Sequence, residues 1–214
     1  FDCKIVFICL PTPMNPDGSC NTSLVEEAIK ELTDYISVEI IVIKSTVPPG
    51  TTTKLNKKYR NIAITFNPEF LTERNAVEDY NNQNRIILGG NKRATTKLKP
   101  IFSKVFPKAT IIKTDPTHAE MVKYLTNAFL ATKVSFANEI YQICHTLKID
   151  YDKVIEHVLH DERLGKSHWA VPGPDGDFGY GGHCFPKDVN TLKSLAWSLG
   201  CSPIILEATD SKNN

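Results

Sequence analysis

The chain has 214 residues, of which 41% are apolar and 23% charged, a balance that supports a packed core and excludes wholesale disorder. Lys and Arg total 25 against 24 Asp and Glu, a formal charge of +1, so there is no basic footprint for nucleic acid or for an anionic membrane. The longest apolar runs, such as residues 5–10 and 40–43, fall far short of the roughly 20 residues that cross a bilayer.

The chain opens on Phe1-Asp2-Cys3 without an initiator methionine and enters strand-like sequence at once. This reads as a cut, with earlier sequence missing. Short runs rich in Val and Ile at residues 4–10, 38–45, 62–66, 85–88 and 110–113 are predicted strands, and their continuous apolar content suits a parallel sheet buried on both faces. Between the first two lies a predicted helix, 23–35, where Ser23 followed by Glu26 has the pattern of a capping box and Leu24, Ala28 and Leu32 repeat at helical spacing. Residues 51–57 and 92–102 read as further helices. Alternation of this kind argues for a doubly wound α/β unit.

After Asp115-Pro116 the pattern changes. Met121, Leu125, Ala128, Thr132, Phe136, Ile140, Ile143 and Leu147 recur every three or four residues, which predicts one helix over 117–147, ~45 Å long. A helix of that length in a small domain points to one that spans two neighbours or builds a dimer seam, with a buried bundle helix as the competing reading. Residues 150–159, 187–199 and 203 onward are predicted helices, with a Gly/Pro-rich segment at 171–182. The fold class is therefore α/β, a partial Rossmann-type parallel sheet (1–115) followed by an all-α domain with one long helix (116–214). Cys3, Cys9, Cys20, Cys144, Cys184 and Cys201 are irregularly spaced without a C-x-x-C pair, which suits a reducing, cytoplasmic setting rather than a disulfide framework or a zinc site.

The densest chemical constellation is Gly179-Tyr180-Gly181-Gly182-His183-Cys184-Phe185-Pro186-Lys187-Asp188. Glycines before a cysteine let the backbone approach a ligand closely, and Pro186 suits the first turn of a helix beginning just after Cys184. A thiol near a helix N-terminus and beside Lys187 has its thiolate favoured, as a nucleophile needs, and Asp188 lies about one turn on. An inert buried cysteine is the competing reading. Lys123 and Asn127 are an i, i+4 pair sharing one face of the long helix. By spacing alone they suit a solvated stripe better than a cation and an amide aimed at a developing alkoxide. Leu10-Pro11-Thr12-Pro13, Ser45-Thr46-Val47-Pro48-Pro49-Gly50-Thr51 and Asn67-Pro68-Glu69-Phe70-Leu71 follow three successive predicted strands, at the carboxyl ends where open α/β sheets bind ligands. Gly89-Gly90-Asn91-Lys92 lacks phosphate-loop spacing and reads as a turn. His118, His145, His157, His160, His168 and His183 show no H-E-x-x-H arrangement, so no metal site is argued.

Taken together, residues 10–13, 45–51 and 67–73, the Glu-Met-Val-Lys-Tyr-Leu-Thr-Asn-Ala stretch at 120–128, Asn138-Glu139 and residues 179–188 resemble the UDP-glucose/GDP-mannose dehydrogenase family over nearly the whole chain. The resemblance implies NAD-dependent four-electron oxidation of a nucleotide sugar, alcohol to aldehyde to carboxylate. It favours the UDP-glucose branch, from Phe185-Pro186-Lys187, over GDP-mannose or UDP-N-acetylhexosamine. It implies Cys184 as the nucleophile that forms a thiohemiacetal and then a thioester, with Lys123 stabilising oxyanions and Asn127 orienting the substrate oxygen. Glu69 would activate water for thioester hydrolysis, and Asp188 and Thr46 would hold a water in the proton path. Thr12, Thr46, Glu73 and Lys187 match cofactor contacts. Glu69, Phe70, Leu71, Thr72, Lys123, Asn127, Trp169, Tyr180 and Gly181 match substrate positions, and Arg163 matches an arginine that reaches the neighbouring subunit's substrate across a homodimer built on the long helix. Gly173-Pro174-Asp175-Gly176-Asp177 makes the substrate loop longer than in many members. The family's G-x-G-x-x-G turn is expected upstream of residue 1 and its nucleotide-sugar domain beyond 214, which leaves a non-catalytic dimerisation core as the competing reading of this stretch alone.

Overall fold

The computed structural model describes residues 3–35, 37–72 and 74–213. They form two compact units, one of the described residues within 3–15 and 20–123 and one of those within 16–19 and 124–213.

The first unit is a five-stranded sheet in the order β1-β2-β3-β4-β5, with β1 Ile5–Ile8, β2 Ile40–Ile43, β3 Ala63–Phe66, β4 Arg85–Gly89 and β5 Thr110–Thr114. Strand β2 alternates between two cores. Ile41 and Ile43 pack with Val25 and Ile29 of α1 (Ser23–Leu32) and Leu55 of α2 (Thr51–Lys58) on one face, while Ile40 and Val42 pack with Leu98 and Phe102 of α4 (Lys92–Val105) on the other. An unbroken Ile/Val strand is what a sheet covered on both faces requires.

The sheet departs from the all-parallel expectation at one seam. Strands β1–β3 are parallel, as are β4 and β5, but β3 and β4 are antiparallel and meet through the single pair Phe66–Gly89. Both residues end their strands, so the carboxyl ends of β3 and β4 converge. Gly89 is required there, since a Cβ on it would lie 2.6 Å from that of Ala119. The connection carries a short helix, α3 (Ala76–Asn81), with no buried residue, hence no apolar periodicity by which to read it from sequence. The capping box also fails: Thr22, not Ser23, is the N-cap, and its hydroxyl donates to the Glu26 carboxylate rather than capping an amide.

The second unit is helical, with α6 Tyr151–Val158, a 3-10 turn at Glu162–Leu164, α7 Cys184–Ser198 and α8 Ile204–Asn213. The long helix α5 (Pro116–Leu147) has 32 residues and passes from the first unit into the second. Two cores lie along its second-unit part. Ala137 and Cys144 pack with Tyr151, Trp169 and Val171, and Ala128 and Ala131 with Tyr180 and Val189. Leu125, Phe129, Phe136, Ile143 and Leu147, by contrast, are all exposed. Most of the periodic residues that predict this helix therefore face outward rather than into a core.

Candidate functional site

Within the first unit, the loops after β1, β2 and β3 are tied to one another. The Leu10 amide donates to Ser45 Oγ at 2.8 Å, and the buried Thr12 hydroxyl donates to the Thr46 carbonyl, also at 2.8 Å. The Cys20 thiol approaches the same carbonyl. In the third loop, Asn67 is buried and donates to the Ile87 carbonyl, and its own carbonyl and side-chain oxygens accept from the Lys44 ammonium.

Lys123 reaches this loop from α5. It is only 3% exposed, which overturns the solvated-stripe reading. Its ammonium donates to the Glu69 carbonyl and to Glu69 Oε1, each at 2.8 Å, and lies 5.6 Å from the centre of the Phe70 ring. The other Glu69 oxygen accepts from the Leu71 amide. Thr72 is exposed and bound to Asp79 by both its amide and its hydroxyl. Glu73 lies outside the described residues.

Glu120, one turn before Lys123, is fully buried and accepts from the Gly50 amide at 2.6 Å and the Thr52 amide at 2.8 Å. It thereby caps α2 from outside that helix and fixes the Thr46 loop, since the free amides of a helix start accept an anion well. Burial nonetheless raises its carboxyl above the usual glutamate range, the opposing effect of those hydrogen bonds being smaller. Burial likewise lowers the Lys44 ammonium, with Cys9 and Glu69 opposing and Lys123 adding to the shift. Sequence reading gave neither Lys44 nor Glu120 a role. The available signals were a lone lysine at the end of an otherwise apolar strand and an acid three residues before Lys123.

Within the second unit, Asn127 and Asp188 are joined. The Asn127 amide donates to Asp188 Oδ2 at 2.6 Å, and Lys187 forms an ion pair with the other carboxylate oxygen. Asn127 is 6% exposed and Asp188 1%, so Asn127 belongs to no solvated stripe either. The Lys187 ammonium also lies 5.8 Å from the centre of the Tyr124 ring.

These contacts pin the first turn of α7 to α5. Cys184 is the first residue of α7, exposed, with Pro186 inside the first turn. The preceding loop is clamped from two sides. Gly179 (φ +79°) donates to Asn138 Oδ1, and the Asn213 side chain both accepts from the Tyr180 amide and donates to its carbonyl. A Cβ on Gly179 would come within 2.5 Å of that Asn213 oxygen.

Tyr180 is buried against Ala128 and Val189, and burial pushes its hydroxyl up to about 12, with the Asp210 charge adding to the shift. Gly181 is exposed. Trp169 is a core residue whose indole N–H donates to the Gly165 carbonyl at 2.9 Å. Arg163 points outward, bound to Asp161 through its Nε. The 173–177 insertion closes on itself through Gly173 N–H to the Asp177 carbonyl at 2.7 Å. No helix among the described residues is long and apolar enough to cross a membrane.

Residues 1–108 match the NAD binding domain, and residues 117–214 the central domain, of the UDP-glucose/GDP-mannose dehydrogenase family. The chain is 37% identical over 217 residues to a UDP-glucose 6-dehydrogenase of Rickettsia bellii, covering 98% of this chain and 49% of that one. It is 35% identical to the UDP-glucose 6-dehydrogenase TuaD of Bacillus subtilis, covering 98% and 46%. The solved UDP-glucose dehydrogenase of Pyrobaculum islandicum superposes with a TM-score of 0.88 at 34% identity, over 98% of this chain and 50% of that one. The chain thus spans about half the length of the relatives it matches. On two family domains that together account for nearly all of its residues, the chain belongs to the UDP-glucose/GDP-mannose dehydrogenase family.

Proposed function

We propose that this chain carries the catalytic residues of an NAD-dependent nucleotide-sugar dehydrogenase that oxidises UDP-glucose to UDP-glucuronate. The observation that carries the reading is the exposed Cys184 thiol at the first position of α7, in a turn locked to α5 through Asp188 and Asn127. A first hydride leaves C6 of the sugar and the hydroxyl gives up its proton, which makes the aldehyde. The thiolate then adds to that carbon, forming a C–S bond and a thiohemiacetal oxygen whose anion Lys123 is assigned to stabilise. Loss of hydride from that carbon leaves a thioester. Water then adds to it, the C–S bond breaks, the thiolate leaves, and Glu69 takes the water's proton.

Lys123 is assigned to oxyanion stabilisation and Asn127 to orienting the substrate oxygen, with Asp188 and Thr46 holding a water in the proton path. Lys187 is assigned to the cofactor. Phe70, Leu71, Thr72, Tyr180 and Gly181 are assigned to the substrate, with Trp169 contributing from the core. The tied turns after two adjacent parallel strands, with Thr12 buried at 7% exposure and bonded to Thr46, fit the place where such sheets take a dinucleotide. Thr12 and Thr46 would hold NAD there, and when bound NAD accepts the hydrides.

The exposed apolar stripe on α5 supports a homodimer, in which Arg163 serves the neighbouring subunit's substrate. Light scattering on the full-length protein checks this, and a monomer at high concentration would count against it. The function is tested by Cys184→Ser in the full-length protein. Acid formation from UDP-glucose is expected to be lost while the far-UV circular dichroism stays unchanged. Retained steady-state NADH production would remove Cys184 from its role, and turnover of another nucleotide sugar with none of UDP-glucose would reassign the substrate.

A further inference from the structure

Lys133 is a second buried cation on α5, ten residues after Lys123, and the chemistry above does not use it. It is 9% exposed and takes part in none of the ion pairs among the described residues. Its ammonium donates to the carbonyls of Leu164 and Gly165, each at 2.9 Å, and lies 4.7 Å from the centre of the Trp169 ring. The Gly165 carbonyl accepts a second bond, from the Trp169 indole. An ammonium has three N–H donors. Two are spent on consecutive carbonyls and the face of an indole lies alongside, which makes this a holding arrangement rather than one that presents a proton to a ligand.

What it holds is the turn that bears Arg163. Asp161 caps that turn, accepting from the Arg163 amide at 3.1 Å, and the same carboxylate accepts from the Arg163 side chain. Gly165 closes it at φ +62°. The Arg163 side chain is 88% exposed, so nothing in the core fixes the guanidinium, and its direction follows the turn. Lys133 supplies charge-assisted bonds, the stronger kind, to the two carbonyls that follow Arg163. Burial lowers Lys133 below the usual lysine range, and His168, which feels its charge, is lowered mainly by its own burial. A desolvated cation kept without a carboxylate is a costly way to stabilise a core, but an apolar side chain could not bond two carbonyls.

We propose that Lys133 is a positioning residue: by anchoring the 161–165 turn to α5 it sets the direction of the Arg163 guanidinium toward an anionic or hydroxyl-bearing ligand. The substrate part rests on the nucleotide-sugar reading above, whereas the anchoring does not. The experiment compares Lys133→Met, Lys133→Arg, Arg163→Ala and the Lys133→Met/Arg163→Ala double variant in the full-length protein, with Lys133→Gln replacing Lys133→Met if the latter fails to fold.

Amide hydrogen exchange at residues 163–166 should rise roughly tenfold or more in Lys133→Met, as local opening becomes easier, and should return toward the parent in Lys133→Arg. Unchanged exchange overturns the proposal. For UDP-glucose turnover, KM should rise roughly tenfold in both Lys133→Met and Arg163→Ala with kcat little changed, since a displaced binding group loses ground-state and transition-state contacts alike. The double variant should be no worse than Arg163→Ala alone. Multiplying effects, or a KM that moves in Arg163→Ala but not in Lys133→Met, overturn the proposal and leave the nucleotide-sugar reading intact. Raised exchange with no KM change in Arg163→Ala supports the anchor and instead removes Arg163 from the substrate site.

Discussion

Two stretches of α5 each bury a lysine and differ in what surrounds it. Near its start, Lys123 faces an ionisable partner, donating to both the carboxylate and the carbonyl of Glu69, and Glu120 one turn earlier is spent on the amides of Gly50 and Thr52. Farther along, Lys133 faces carbonyl dipoles and an indole and pairs with no carboxylate among the described residues. A buried cation beside a carboxylate can exchange protons or shift its partner's charge during a reaction. One held by two carbonyls and a ring has no carboxylate beside it and is suited to fixing geometry. The residue type and the helix are the same, and the neighbours differ.

The comparison breaks most visibly in turnover. Lys123→Ala in the full-length protein should lower kcat roughly 100–1000-fold, the usual loss on removing one oxyanion donor, whereas the Lys133 variants act on KM. An unchanged kcat in Lys123→Ala would return Lys123 to a structural role and erase the contrast.

A smaller effect sharpens it at Glu120. Its carboxyl titrates above the usual glutamate range because it is buried. Between the ordinary value near 4.3 and its own raised value, the native state therefore holds a proton that the unfolded chain has lost. The associated stabilisation is complete at low pH and is lost as pH rises through the raised value. Glu120→Gln should flatten that part of the stability–pH curve, read from urea unfolding at a series of pH values. Glu120→Ala should cost about 1–3 kcal/mol through two unpaired amides. An unaltered slope in Glu120→Gln would mean that Glu120 does not titrate in this range.

Sequence periodicity was most legible where side-chain burial is regular. The five strands, α1, α2, α4 and α5 all lie close to where the Val/Ile runs and the three-to-four-residue repeats place them, because each carries a regular apolar repeat, buried in β2, β3, β4, α1 and α4 and largely exposed along α5. Helix α3 escaped notice because it buries nothing. The capping box failed because a one-residue shift makes Thr22 the cap, and local sequence cannot say which of two adjacent hydroxyl residues begins a helix. At the candidate site, the Gly179–Asp188 motif was visible as a motif, while Lys44, Glu120 and Lys133 were not, since each takes its meaning from partners 23 to 70 positions away.

By itself, the order of residues determined the alternation of strand and helix, the long helix, the glycine-rich approach to Cys184 and the family resemblance, all of which are properties of local pattern and spacing. Tertiary structure alone decided that β3 and β4 meet end to end in antiparallel sense, that Lys123 and Asn127 are buried rather than solvated, and which acceptor each buried charge would find. Those outcomes depend on which distant backbone groups folding brings within about 3 Å. Desolvation then makes each such pairing consequential, because a charge removed from water must be matched by whatever lies next to it.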